Sequence, residues 1–132
     1  MKYLPEPERT RRLTTDALRS HFLLQQPFQP GASTCRFVDL DRVVVGGIMP
    51  AGRSLELESS SEMAADYFME CRETGILNVG GRGSISVDGR RFDLETKDLL
   101  YVGRGSRTVS FESAGENRDF DDVQLASMAT LR

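Results

Sequence analysis

Apolar positions follow a helical period only near the start of the chain and a period of two almost everywhere after it. In "TTDALRSHFLL" (14–24), Leu18 and Phe22 stand four apart, Thr14 or Thr15 serves as N-cap and Asp16 falls in the first turn. This spacing predicts a short helix of about three turns, ended by Pro27 and Pro30-Gly31. Residues 1–13, with Pro5, Pro7 and mixed charge, read as an extended arm. Beyond residue 32 the runs are β-branched and short. "TCRFVDLDRVVVGGIMP" gives two of them, the second closing at Gly46-Gly47 and Pro50, and "RSLELES" places Leu55 and Leu57 on one face. "ADYFMECRETGILNVGG" adds two runs broken near Glu73-Thr74-Gly75, and "LLYVG" and "TVSFES" add two more.

The clearest element is "SISVDGRRFDL" (84–94). Asp88-Gly89 is a two-residue hairpin signal of the type I′ kind, which needs positive φ at both central residues. That loop sets Ile85 opposite Phe92, with Val87 on the same face. Many short strands, Gly-rich corners and one leading helix predict an all-β fold: a single jelly-roll or β-barrel domain with a short N-terminal helix. The expected organisation is an arm (1–13), helix plus barrel (14–114) and a C-terminal tail (115–132).

Gly80, Gly81 and Gly83 raise a question of chemistry. A phosphate-binding loop needs a strand, then glycines, then a helix whose N-terminus faces the anion. Here the glycines lead into another strand, so they read as a tight barrel corner.

Charge and cysteine content narrow the classes further. The chain has 132 residues, room for one modest core, and a net charge of −3, which argues against general nucleic-acid or anionic-membrane binding. Lys2 and Lys97 are the only lysines among 17 basic residues, so arginine, with its carboxylate-gripping fork, carries nearly all the positive charge. Cys35 and Cys71 lie in no CxxC and read as free, mostly buried thiols of a reducing compartment. "MKYLPEPERTRRL" has no apolar core, and no stretch approaches the ~20 apolar residues of a membrane span. A soluble cytoplasmic protein is expected.

Candidate functional residues each have a plainer reading. Glu73 is a candidate general base or a charge paired with neighbouring Arg72. Arg72, Arg104 and Arg107 are candidate carboxylate ligands or surface arginines, and Tyr67 and Tyr101 are candidate sugar-stacking faces or core residues. His21, the only imidazole, has no partner in sequence. Glu116, Asp119, Asp121 and Asp122 lack the fixed spacing and turn glycine of a cation loop and read as a solvated tail.

Several stretches together resemble one family. "DRVVVGGIMP" (41–50), "YFMECRETGILNVGGRGSISVDG" (67–89) and "KDLLYVGRGSRTVSF" (97–111) are similar to the N-terminal half of 5-keto-4-deoxyuronate isomerase, also called 4-deoxy-L-threo-5-hexosulose-uronate ketol-isomerase. "TTDALRSHFLLQQPF" is similar too, and "GENRDFDDVQLASMATLR" (115–132) resembles the family's extreme C-terminus. The resemblance implies a cupin-like barrel, one of a pair in a hexameric enzyme that interconverts keto forms of a deoxyhexuronate from pectin breakdown. It also implies zinc, held in the second barrel by an HxH-type motif, a Glu and a further His.

The sequence departs from that plan. It passes from "TVSFESA" almost directly to the closing tail, as in an internal deletion of the second barrel. In the general cupin pattern Glu73 and Gly80 keep the Glu-to-Gly spacing, but Tyr67 and Met69 occupy the HxH positions and Thr108 the later His position. One imidazole cannot replace three. The expectation is therefore a family member with no metal or other cofactor in this chain, inactive alone, with a non-catalytic uronate-binding or oligomerisation module as the alternative. A sugar acid is the expected ligand and a second copy the expected partner, because a barrel without its neighbour exposes an apolar face.

Overall fold

The computed structural model describes residues 3–39, 42–113 and 125–131, the last segment by its backbone. Among the described residues nine strands form two antiparallel sheets facing each other. The first, in the order β1-β2-β9-β4-β7, holds β1 (Ala32–Val38), β2 (Val43–Met49), β9 (Leu125–Leu131), β4 (Glu73–Asn78) and β7 (Leu99–Val102). The second, in the order β3-β8-β5-β6, holds β3 (Leu55–Glu56), β8 (Val109–Ser113), β5 (Gly83–Val87) and β6 (Arg90–Leu94). The all-β expectation is met. The C-terminal strand β9 lies inside the first sheet, between β2 and β4.

Period-two alternation fills the space between the sheets. Phe37 and Val44, directly opposite each other, face inward with Ile48 and Ile76 from the first sheet. From the second come Leu57, Ile85, Leu94, Val109 and Phe111. Ile85 pairs with Phe92 as the hairpin requires, and Asp88 and Gly89 take φ of 48° and 81°.

Three local expectations are corrected. The arm is not wholly extended: Pro7–Thr10 forms one helical turn, α1, favoured by Pro at its start and by the Thr10 hydroxyl donating to the Glu6 carbonyl at 3.0 Å. Strand β2 ends before Pro50 as expected, but it runs through Gly46-Gly47 rather than closing there. A Cβ on Gly46 would lie 2.3 Å from the Thr34 carbonyl oxygen, and one on Gly47 2.5 Å from that of Pro27, so the crossing chain segments demand glycine there. The break expected near Glu73-Thr74-Gly75 falls earlier. β4 runs unbroken over Glu73–Asn78, preceded by a 3₁₀ turn at Ser61–Met63 and irregular backbone. The helix itself, α2 (Thr15–Phe22), is capped by Thr14, whose hydroxyl accepts from the Ala17 N–H at 3.3 Å.

The glycine corner carries the chain from β4 in one sheet to β5 in the other. Beside it, residues 95–98 carry β6 back to β7. Asn78, with no exposed surface, ties the two crossovers together. Its side-chain amide donates to the carbonyls of Gly81 (2.7 Å), Leu94 (3.3 Å) and Glu95 (3.0 Å), and its oxygen accepts from Gly80 N–H at 3.1 Å. No helix follows the glycines, so the corner offers an anion no helix N-terminus.

Candidate functional site

One end of the barrel is closed by the stretch that leads into β4 and by the β7–β8 loop. The Gly105 N–H donates to the Met69 carbonyl at 2.7 Å, and the Arg107 guanidinium lies 5.4 Å from the centroid of the half-buried Tyr67 ring. The hairpin tip clamps this loop from the other side. The Asp88 carboxylate accepts from the backbone N–H groups of Arg107 and Thr108, each at 2.9 Å. Those bonds, the one from Thr108 foremost, hold Asp88 below the ordinary carboxylate range against a smaller effect of desolvation. The sequence marked Asp88 only as a turn residue; its second role depends on a partner about a hairpin's length away.

Strand alternation separates the neighbours Arg72 and Glu73. Thr74, Ile76 and Asn78 are buried in the interior, and Arg72, of the same parity, is buried with 7% exposure. Its guanidinium lies 5.7 Å from the Phe37 ring centroid, and its Nε, wholly buried, has no hydrogen-bond partner. Glu73 is exposed on the outer face, on the side of the sheet that carries Tyr101. Desolvation and then the Glu73 carboxylate raise the Tyr101 pKa above its ordinary value. Glu73 and Arg72 are therefore not paired with each other. Arg104 and Arg107 are exposed, Met69 is buried with its sulfur 3.2 Å from the Thr74 hydroxyl, and Thr108 is exposed.

His21 lies elsewhere. It borders a cavity of about 250 Å³ between α2 and the outer face of β1 and β2, with Leu4, Phe22, Arg36, Val38 and Val45. Zinc requires three or four converging nitrogen, oxygen or sulfur donors. Among the described residues no group of three His, Cys, Asp or Glu comes together, so their donor set does not fit the ion that the family resemblance implied. The acidic stretch 116–122 lies outside the described residues. Both cysteines are free, but Cys71 is exposed rather than buried, because it sits in the irregular backbone ahead of β4. The Cys35 thiol is half-buried, and its burial raises its pKa. Among the described residues no helix is long and apolar enough to cross a membrane.

Comparison with known proteins decides the family. Over 120 residues, 90% of this chain, it is 44% identical to the 4-deoxy-L-threo-5-hexosulose-uronate ketol-isomerase of Bacillus pumilus, covering 44% of that protein. Over 123 residues, 91% of this chain, it is 42% identical to the enzyme of the same name from Opitutus terrae, covering 45% of it. The chain belongs to the 4-deoxy-L-threo-5-hexosulose-uronate ketol-isomerase family. It spans somewhat less than half the length of these ketol-isomerases. No family model matches it. Among solved structures, the cupin domain of Schizosaccharomyces pombe Cnp3 superposes with a TM-score of 0.53 at 16% identity, covering 76% of this chain and 64% of that one. That likeness establishes a cupin fold for this ketol-isomerase relative.

Proposed function

We propose that this chain is a shortened, non-catalytic member of the ketol-isomerase family, a barrel that does not isomerise a deoxyhexuronate by itself. Aldose–ketose isomerisation moves a proton between adjacent carbons and must stabilise an oxyanion while it does so. In a metal-dependent isomerase the ion supplies that stabilisation. The reading is carried by the placement of the donors: His21 lies on the outer side of the first sheet, and Tyr67, Met69 and Thr108 stand where the cupin pattern has histidines. Glu73, the carboxylate of that pattern, is turned outward against Tyr101.

The test is an isomerisation assay of the purified 132-residue chain on the deoxyketo uronate with zinc added. Turnover indistinguishable from a protein-free control is expected; a rate of about 1 s⁻¹ or more, within the ordinary enzyme range, would refute the proposal.

A second copy as partner is favoured by one surface. Val79, Leu99 and Tyr101 are 43%, 69% and 64% exposed, and Leu77 lies directly opposite Leu99 in the register. This is an apolar strip on the outer face of β4 and β7, which self-association would cover. Light scattering is expected to give at least a dimer mass at micromolar concentration. A strictly monomeric species counts against the second copy.

A further inference from the structure

We propose that the cavity between α2 and the outer face of β1 and β2 is a ligand site, and that it takes a small neutral aromatic molecule carrying a hydroxyl group. The sequence of β2 sets this face apart. "VVVGGIM" (43–49) is an unbroken apolar run, the pattern of a strand covered on both sides. Phe37 and Val44, opposite each other, fill the interior, so alternation turns Arg36, Val38, Val43 and Val45 to the outer face. Three of these four are valines, on a face that would be polar if it met only water. The cover is α2, but it covers incompletely. None of its eight residues is buried, and Phe22 keeps 50% of its surface exposed while it borders the cavity.

Leu4 and Leu24, from either side of the helix, complete the apolar wall with Val38 and Val45, and between them these residues leave about 250 Å³. Protein packing tolerates few voids larger than a water molecule, so a hollow of this size calls for an occupant. Water suits it poorly. Each buried molecule needs about three polar partners, and only His21 and Arg36 on this wall are polar. Size sets the class of guest: an apolar cavity of about 150 Å³ admits benzene, whereas a drug-sized ligand needs about 300 Å³ or more. The space therefore matches one six-membered ring with a short substituent, and the Phe22 ring at its edge offers an aromatic contact. The two polar groups select the substituent. A guanidinium only donates, whereas a neutral imidazole both donates and accepts. A hydroxyl is able to accept from Arg36 and to donate to His21. A methyl group satisfies neither, and a carboxylate loses its hydration among the apolar side chains.

The site lies outside the barrel interior, and the inference holds whether or not the chain isomerises a sugar. The experiment is a titration of the purified chain with phenol, toluene and benzoate, read by two-dimensional amide NMR. Phenol is expected to shift a saturable set of resonances confined to α2, β1, β2 and the residues flanking α2. Benzoate is expected to leave that set unmoved. Val45→Phe fills the hollow from the sheet side and is expected to abolish the phenol response without lowering the melting temperature. His21→Phe keeps a ring at that position and removes its hydrogen-bonding atoms. Phenol is then expected to bind about fivefold more weakly, with toluene binding no worse than to the wild type. Should V45F not fold, H21F decides alone. No saturable response to phenol, shifts scattered over the whole chain, benzoate bound here as tightly as phenol, or wild-type phenol affinity in H21F overturns the proposal. Shifts of the same resonances with protein concentration alone would mark a second copy as the occupant and overturn it too.

Discussion

Replacing Phe111 with alanine is expected to remove about 3–5 kcal/mol of folding stability, the largest loss of any single substitution considered. Phe111 has no exposed surface and sits in β8 between two paired strands. The register places Leu55 on one side of it and Ile85 on the other, with Phe92 beyond Ile85. This row of four apolar side chains is the floor of the second sheet. An alanine leaves a void that the backbone cannot close, because both flanking strands are held by ladder hydrogen bonds. A domain of this size has only about 5–15 kcal/mol in total, so the variant is expected to be partly unfolded at 37 °C. Urea denaturation followed by far-UV circular dichroism measures it. A loss below about 1 kcal/mol would show that Phe111 is not at the centre of the core.

The second large effect is at a polar residue. Asn78→Ala is expected to cost about 3 kcal/mol, although it removes no apolar surface. Its amide is bonded to the carbonyls of Gly81, Leu94 and Glu95 and to the Gly80 N–H, and all of these lose a partner in the alanine variant. Leaving buried backbone groups unsatisfied costs more than a hydrogen bond contributes, which is why a small polar side chain matters here. Asn78→Asp separates this from loss of volume. The aspartate keeps the shape but sets a carboxylate against three carbonyl oxygens. Burial and those oxygens raise its folded pKa above the unfolded value, so the folded state binds the proton more tightly. Stability is then greatest where the acid is protonated and is lost as pH rises through the folded pKa. The variant should be markedly less stable at pH 7 than at pH 4, while the wild type lacks this component. Equal stability of N78D and wild type at pH 7 would sink the claim that Asn78 holds the two crossovers together.

What was legible in the chain was local. The Thr14 cap, the hairpin turn at Asp88-Gly89 and the opposition of Ile85 to Phe92 depend on residues a few positions apart, and the structure has each of them. The breaks assigned at Gly46-Gly47 and at Glu73-Thr74-Gly75 failed for a common reason. Glycine reads as punctuation in a sequence, yet at Gly46 and Gly47 it serves a close approach from Thr34 and Pro27, and at Gly75 it sits within a continuous ladder. Neither is visible without the neighbouring strand.

The candidate residues were recognisable by type but not by position. Alternation says that Arg72 and Glu73 face opposite ways. It does not say which of the two faces is covered, because that depends on the pairing of β4 with β7 and β9, strands distant in sequence. Asn78 carried no signal at all, since its partners at Leu94 and Glu95 lie 16 and 17 residues away. By itself, then, the sequence determined the all-β class, the helix cap, the hairpin register and the family resemblance. It did so because turns, caps and periodicity are properties of short stretches of chain. Only the tertiary structure decided that Arg72 lies inside beside Phe37, that Glu73 lies outside near Tyr101, and that His21 borders a separate cavity behind the sheet. The physical reason is that burial and charge pairing are set by which strands meet, and that choice is made by the whole core at once.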